Sequence, residues 1–164
     1  MMTRCSYIDD YLADLEGGRR AASREMLKAC ELIRRRLDNE DVFIDTEKIE
    51  KAIELIERYF AMSLFDWEKF IIALVHCYYK SSDTVVFSEF FIVMGRGNGK
   101  NGFISGLAWY LTTHYHGVEG YNVDIIANSE AQAATSFQDI YEMLERTWGK
   151  SKKFFYKTKE KIVN

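Results

Sequence analysis

Apolar residues recur at three- and four-residue steps through most of the first eighty positions, and the pattern turns strand-like only after Thr84. Tyr7, Tyr11, Leu12 and Leu15 predict a short amphipathic helix over 6–15, ended by Gly17-Gly18. Ala22, Met26, Ala29, Cys30, Ile33 and Leu37 predict a longer one over 19–37. Asp45 or Thr46 caps the next, with Ile49, Ala52, Ile53, Ile56 and Phe60 as its buried stripe. From Asp66 to Tyr79 the chain is apolar almost all round, which predicts an interior helix.

Val85-Val86-Phe87 and the run from Phe90 to Met94 are β-branched and aromatic, and they predict strands. A helix follows over 102–116, with Phe103, Leu107, Tyr110 and Leu111 on one face. Val123, Ile125 and Ile126 predict a second strand, and Ser129 caps a long helix to about Thr147. Phe154-Phe155-Tyr156 opens a third strand within a basic tail, Lys150 to Asn164. Helices followed by strand–loop–helix–strand–helix predict an α/β fold, a parallel sheet with right-handed crossovers flanked by helices and preceded by a helical N-terminal region. The expected division is a helical lead over 1–82 and a sheet-bearing domain over 83–164. Ligands in such sheets sit beyond the C-terminal strand ends, where Gly95–Asn101 and Ala127–Ser129 both fall.

Composition narrows the classes. The chain has 164 residues, 48% apolar and 15% aromatic, which is globular rather than disordered. A net charge of −3 gives no bulk attraction to nucleic acid, and leaves room for a local basic surface. Cys5, Cys30 and Cys77 are widely spaced without a C-x-x-C pair, so they read as reduced, buried thiols of a cytosolic protein. No apolar run approaches the roughly 18 residues of a membrane span. The N-terminus, with Arg4, Asp9 and Asp10, has no apolar leader core.

The chemistry concentrates in Gly95-Arg96-Gly97-Asn98-Gly99-Lys100-Asn101. A predicted strand, a glycine-rich turn ending in Gly-Lys and a predicted helix form the phosphate-binding pattern of nucleotide hydrolases. Glycines permit positive φ and close approach, successive N–H groups line a concavity, and the helix start adds positive potential. Lys100 would bring a full charge to the β and γ phosphates. The standard first glycine falls on Met94, and the usual Ser or Thr is Asn101, whose amide oxygen is the candidate Mg²⁺ ligand. A glycine-rich strand-to-helix turn with one exposed lysine is the structural alternative.

Three segments together resemble the ATPase domain of the large terminase subunit of tailed bacteriophages, over about residues 60–148. Arg96-Gly97-Asn98-Gly99-Lys100-Asn101 is similar to that family's deviant Walker A. Leu64-Phe65-Asp66-Trp67-Glu68-Lys69-Phe70 resembles the element ahead of the loop that holds adenine, with Glu68 in place of the usual Gln. Ala127-Asn128-Ser129-Glu130-Ala131-Gln132-Ala133 is similar to the segment after the second strand. The resemblance implies a P-loop NTPase domain from residue 83, truncated before its Walker B acid and its nuclease. It implies ATP and Mg²⁺ as cofactors, Lys100 and Arg96 as catalytic cations, Trp67 and Glu68 on the adenine side, and Gln132 as the coupling residue. Double-stranded DNA, a portal protein, a small terminase subunit and a homo-oligomeric ring would be the partners, in the cytoplasm of a bacterial host. The piece itself would bind nucleotide weakly and turn over poorly.

Each residue has a plainer role beside that one. Arg96 suits a surface ion pair, Trp67 a core anchor, and Gln132 a helix's first turn. Arg34, Arg35 and Arg36 suit the negative end of a helix dipole as well as a phosphate backbone. His114 and His116 suit a helix end better than a metal site. The alternatives to the motor are a non-catalytic helical interaction module and another P-loop ATPase of nucleic acids, such as a helicase.

Overall fold

The computed structural model describes residues 5–95, 97–151, 156–157 and 162–163, with side chains to Thr147. Its elements are α1 (Ser6–Glu16), α2 (Arg24–Leu37), β1 (Val42–Ile44), α3 (Thr46–Phe60), α4 (Asp66–Val75), β2 (Cys77–Tyr79), α5 (Lys100–Leu111), a 3₁₀ turn (His114–His116), α6 (Glu130–Ser151), β3 (Tyr156–Lys157) and β4 (Ile162–Val163). They divide into two units, Met1–Glu50 with Leu64–Ile92 and Lys51–Ser63 with Val93–Asn164.

Among the described residues the expected parallel sheet is absent. The fold is mostly helical, and its described strands form two two-stranded antiparallel sheets, β1 with β2 and β3 with β4. The reason is pairing. Phe90–Met94 and Val123–Ile126 have strand-like side chains, yet residues 87–95 and 118–128 make no backbone hydrogen bond to another segment among the described residues. A strand exists through its ladder, and β-branched composition cannot supply the partner. Phe91 and Ile126 stand 95% and 93% exposed. Val85 forms only an isolated bridge to Tyr78. Phe154 and Phe155, expected in a third strand, lie outside the described residues.

In the first unit α1 packs on α2 and α4, burying Ile8, Leu12, Leu15, Phe70, Ile72 and Leu74. Tyr11 stacks on Phe70 at 4.6 Å between centroids. α2 starts at Ser23, whose hydroxyl accepts from the Met26 N–H at 3.2 Å, rather than at Arg19. α4 ends at Val75, and Cys77 turns into β2 opposite Ile44. Val42, Ile44 and Cys77 are buried there.

In the second unit α5 lies along α6. Phe103, Leu107, Trp109, Tyr110, Met143 and Leu144 are buried with Ile53, Leu55 and Ile56 of α3. Gly106 is required by proximity: a Cβ there would sit 2.7 Å from Ile56 Cγ2. Trp109 packs beside Tyr59 at 4.9 Å and Phe60 at 5.8 Å.

All three cysteines are reduced and buried. Burial raises each thiol's pKa, that of Cys77 to about 12. Among the described residues no helix is long and apolar enough to cross a membrane.

Candidate functional site

The glycine turn keeps its predicted place at the start of a helix, without a strand before it. Gly97 and Gly99 have φ of 83° and 76°, in the left-handed region that favours glycine. Gly99 is the N-cap of α5, and Lys100 is the first helical residue. The Phe103 N–H closes the first helical bond to the Gly99 carbonyl at 3.1 Å. A helix start leaves its earlier N–H groups to side chains, water or ligand. Gly99 has no side chain to cap them. Among the described residues nothing accepts from the N–H groups of Lys100, Asn101 or Gly102.

The turn is open. Asn98, Gly99, Lys100 and Asn101 are all exposed, and beyond its chain neighbours no described atom lies within 4 Å of a Cβ built on Gly97. Asn98 Nδ2 reaches back to the Gly95 carbonyl at 3.4 Å, the one side-chain tie across the loop among the described residues. The first turn of α5 carries no acidic residue. A lysine at the positive end of a helix is electrostatically disfavoured by about 0.3–1 kcal/mol, which a bound anion would offset. Arg96, the second expected cation, lies outside the described residues.

Asn101 occupies the first turn beside Lys100, and its carbonyl accepts from Ser105 Oγ at 2.8 Å. Asn101 is exposed. Among the described residues no group of three or more His, Cys, Asp or Glu could hold a metal ion by itself.

Ser129 caps α6, accepting from the Gln132 N–H at its carbonyl (3.1 Å) and its hydroxyl (3.3 Å). Gln132 is exposed in that first turn. Trp67 and Glu68 open α4 in the first unit. Trp67 is half-buried. Glu68 is fully buried, and its Oε2 accepts from the Phe65 N–H at 2.8 Å, capping its own helix. Its Oε1 has no hydrogen-bond partner among the described residues. Desolvation raises the carboxyl's pKa, and the Phe65 N–H opposes that rise.

The basic residues divide unevenly. Arg34 pairs bidentately with Glu16, both contacts 2.7 Å. Arg36 donates to the Val86 carbonyl at 3.0 Å and lies over the Phe87 ring. Both therefore fasten α2 within its unit, and Arg35 stays exposed. His114 lies against Tyr115 at 3.9 Å, while His116 is buried between Tyr110 and Tyr121. The side chains of Lys150 and of the basic tail lie outside those described.

A polar contact that spacing did not reveal joins α5 to α6: Ser105 Oγ stands 2.8 Å from Asp139 Oδ2. The signal would have been one serine inside an otherwise apolar helix face.

The chain matches no family model, no curated protein and no solved structure.

Proposed function

We propose that the Gly95–Asn101 turn holds the phosphates of ATP, and that the chain is the ATP-binding portion of a motor similar to the large terminase subunit. Such a motor couples hydrolysis to translocation of double-stranded DNA in a bacterial cytoplasm. The observation that carries the reading is the uncapped start of α5, with Lys100 at its positive end and two glycines of positive φ just before it. Backbone N–H groups, a helix dipole and a lysine at the first helical position then belong to one exposed turn, a combination that suits a polyphosphate. Lys100 would face the β and γ phosphates, with Arg96 as a second cation. Mg²⁺ supplies counter-charge to the phosphates, and the Asn101 amide is the group in this turn that would approach it. Gln132 would report the nucleotide state from the first turn of α6.

Calorimetric titration with Mg-ATP tests this on the wild type and on Lys100→Ala. Loss of one charge-assisted contact should weaken binding by about tenfold or more. Equal affinities in the two proteins would end the proposal.

One observation favours a second reading, a helical interaction module. α2 is strongly amphipathic yet buries only Cys30, leaving Met26, Leu27 and Leu32 about 40% exposed. Thermal melting separates the two. Mg-ATP at a hundred times its dissociation constant should add about 2.7 kcal/mol of stability. An unmoved melting curve favours the module.

A further inference from the structure

We propose that Ser105 and Asp139 form the link that couples the phosphate turn opening α5 to the Ser129–Gln132 turn opening α6. The inference rests on the ATP reading above and extends it to how that site would be sensed elsewhere in the unit.

Ser105 is fully buried on α5. Its Oγ lies 2.8 Å from two acceptors, the Asn101 carbonyl in its own helix and Asp139 Oδ2 on α6. A hydroxyl carries one hydrogen, so the two acceptors compete for it. A serine that bonds back one turn needs nothing more. The second contact is additional, and it draws a half-buried carboxylate to the helix interface, where an apolar pair would pack without desolvating a charge. Asn101 sits beside Lys100 in the candidate site. A ligand that shifts Asn101 therefore alters which acceptor holds the Ser105 hydrogen. Asp139 carries that change into α6, whose first-turn amides, Gln132 and Ala133, bond back to the Ser129 carbonyl at 3.1 Å each. Both are positioning residues: neither is placed at the phosphates.

Hydrogen exchange on the full chain tests the link, with and without Mg-ATP at about ten times its dissociation constant. In the wild type, exchange should slow by about tenfold at residues 97–103 and also at 130–136. Ser105→Ala and Asp139→Ala, each of which removes one partner of the contact, should keep the slowing at 97–103 and lose it at 130–136. Ser105→Thr, which retains the hydroxyl, should restore it. A helix held only by packing would not show this split. The link is overturned if the wild type slows at 97–103 alone, or if both variants still slow at 130–136. No slowing at 97–103 in the wild type would overturn the ATP reading, and the link with it.

Discussion

Two helices in this chain begin in opposite ways. α4 closes its own start. Glu68 folds back onto the Phe65 N–H, Asp66 adds a second carboxylate at the positive end, and Arg20 pairs with that Asp66. α5 leaves its start open, with glycine at the cap, no acid in the first turn and a lysine where the dipole disfavours one. The difference separates a helix end closed by its own side chains from one left without a side-chain cap. Glu68 therefore caps its own helix in the first unit.

The contrast can be broken most severely from beneath. Phe103 is fully buried one turn into α5 and supports the open turn. Phe103→Ala should cost about 3–5 kcal/mol in chemical denaturation. A loss below about 1 kcal/mol would mean that α5 is not anchored as described.

Gly99→Ala is a smaller and sharper test. A side chain at φ 76° is strained, which should cost about 1–2 kcal/mol of stability. Mg-ATP affinity should fall as well, because the cap must move to relieve the strain. Unchanged stability would show that the left-handed cap is not maintained in solution.

The mildest test concerns the closed end. The raised carboxyl of Glu68 means that the folded chain holds its proton more tightly than the unfolded chain does. The resulting stabilisation is complete below the ordinary value of 4.5 and is lost as pH rises through the folded value. Glu68→Gln should flatten that part of the stability–pH profile and change stability near pH 7 by less than about 1 kcal/mol. Melting measured between pH 4 and 7 decides it, and superimposable profiles would remove the burial argument.

The helices were legible because periodicity is local. The stripe through Ile49, Ile53 and Ile56 and the Ser129 cap predicted α3 and α6 closely. The glycine turn was legible too, since its glycines and the helix after it are sequence-adjacent features. The sheet was not. Phe90–Met94 and Val123–Ile126 satisfied every local criterion for strands and have no pairing partner among the described residues. The strands that do form in the first unit pair residues far apart in sequence, Val42–Ile44 with Cys77–Tyr79. One of them hid in the apolar run continuing from α4, and the other is a triplet after the polar Asp38–Asp41 segment. The Ser105–Asp139 contact escaped for the same reason: its two halves are 34 residues apart.

The thiols give the chain an experimental convenience. Cys5, Cys30 and Cys77 are at most 5% exposed, and all three resist ionisation. Thiolate-directed reagents will find them inert. A cysteine introduced at the exposed Asn98 would be the site that takes a fluorophore or spin label, so the turn can be watched without first stripping the native sulfur from the core.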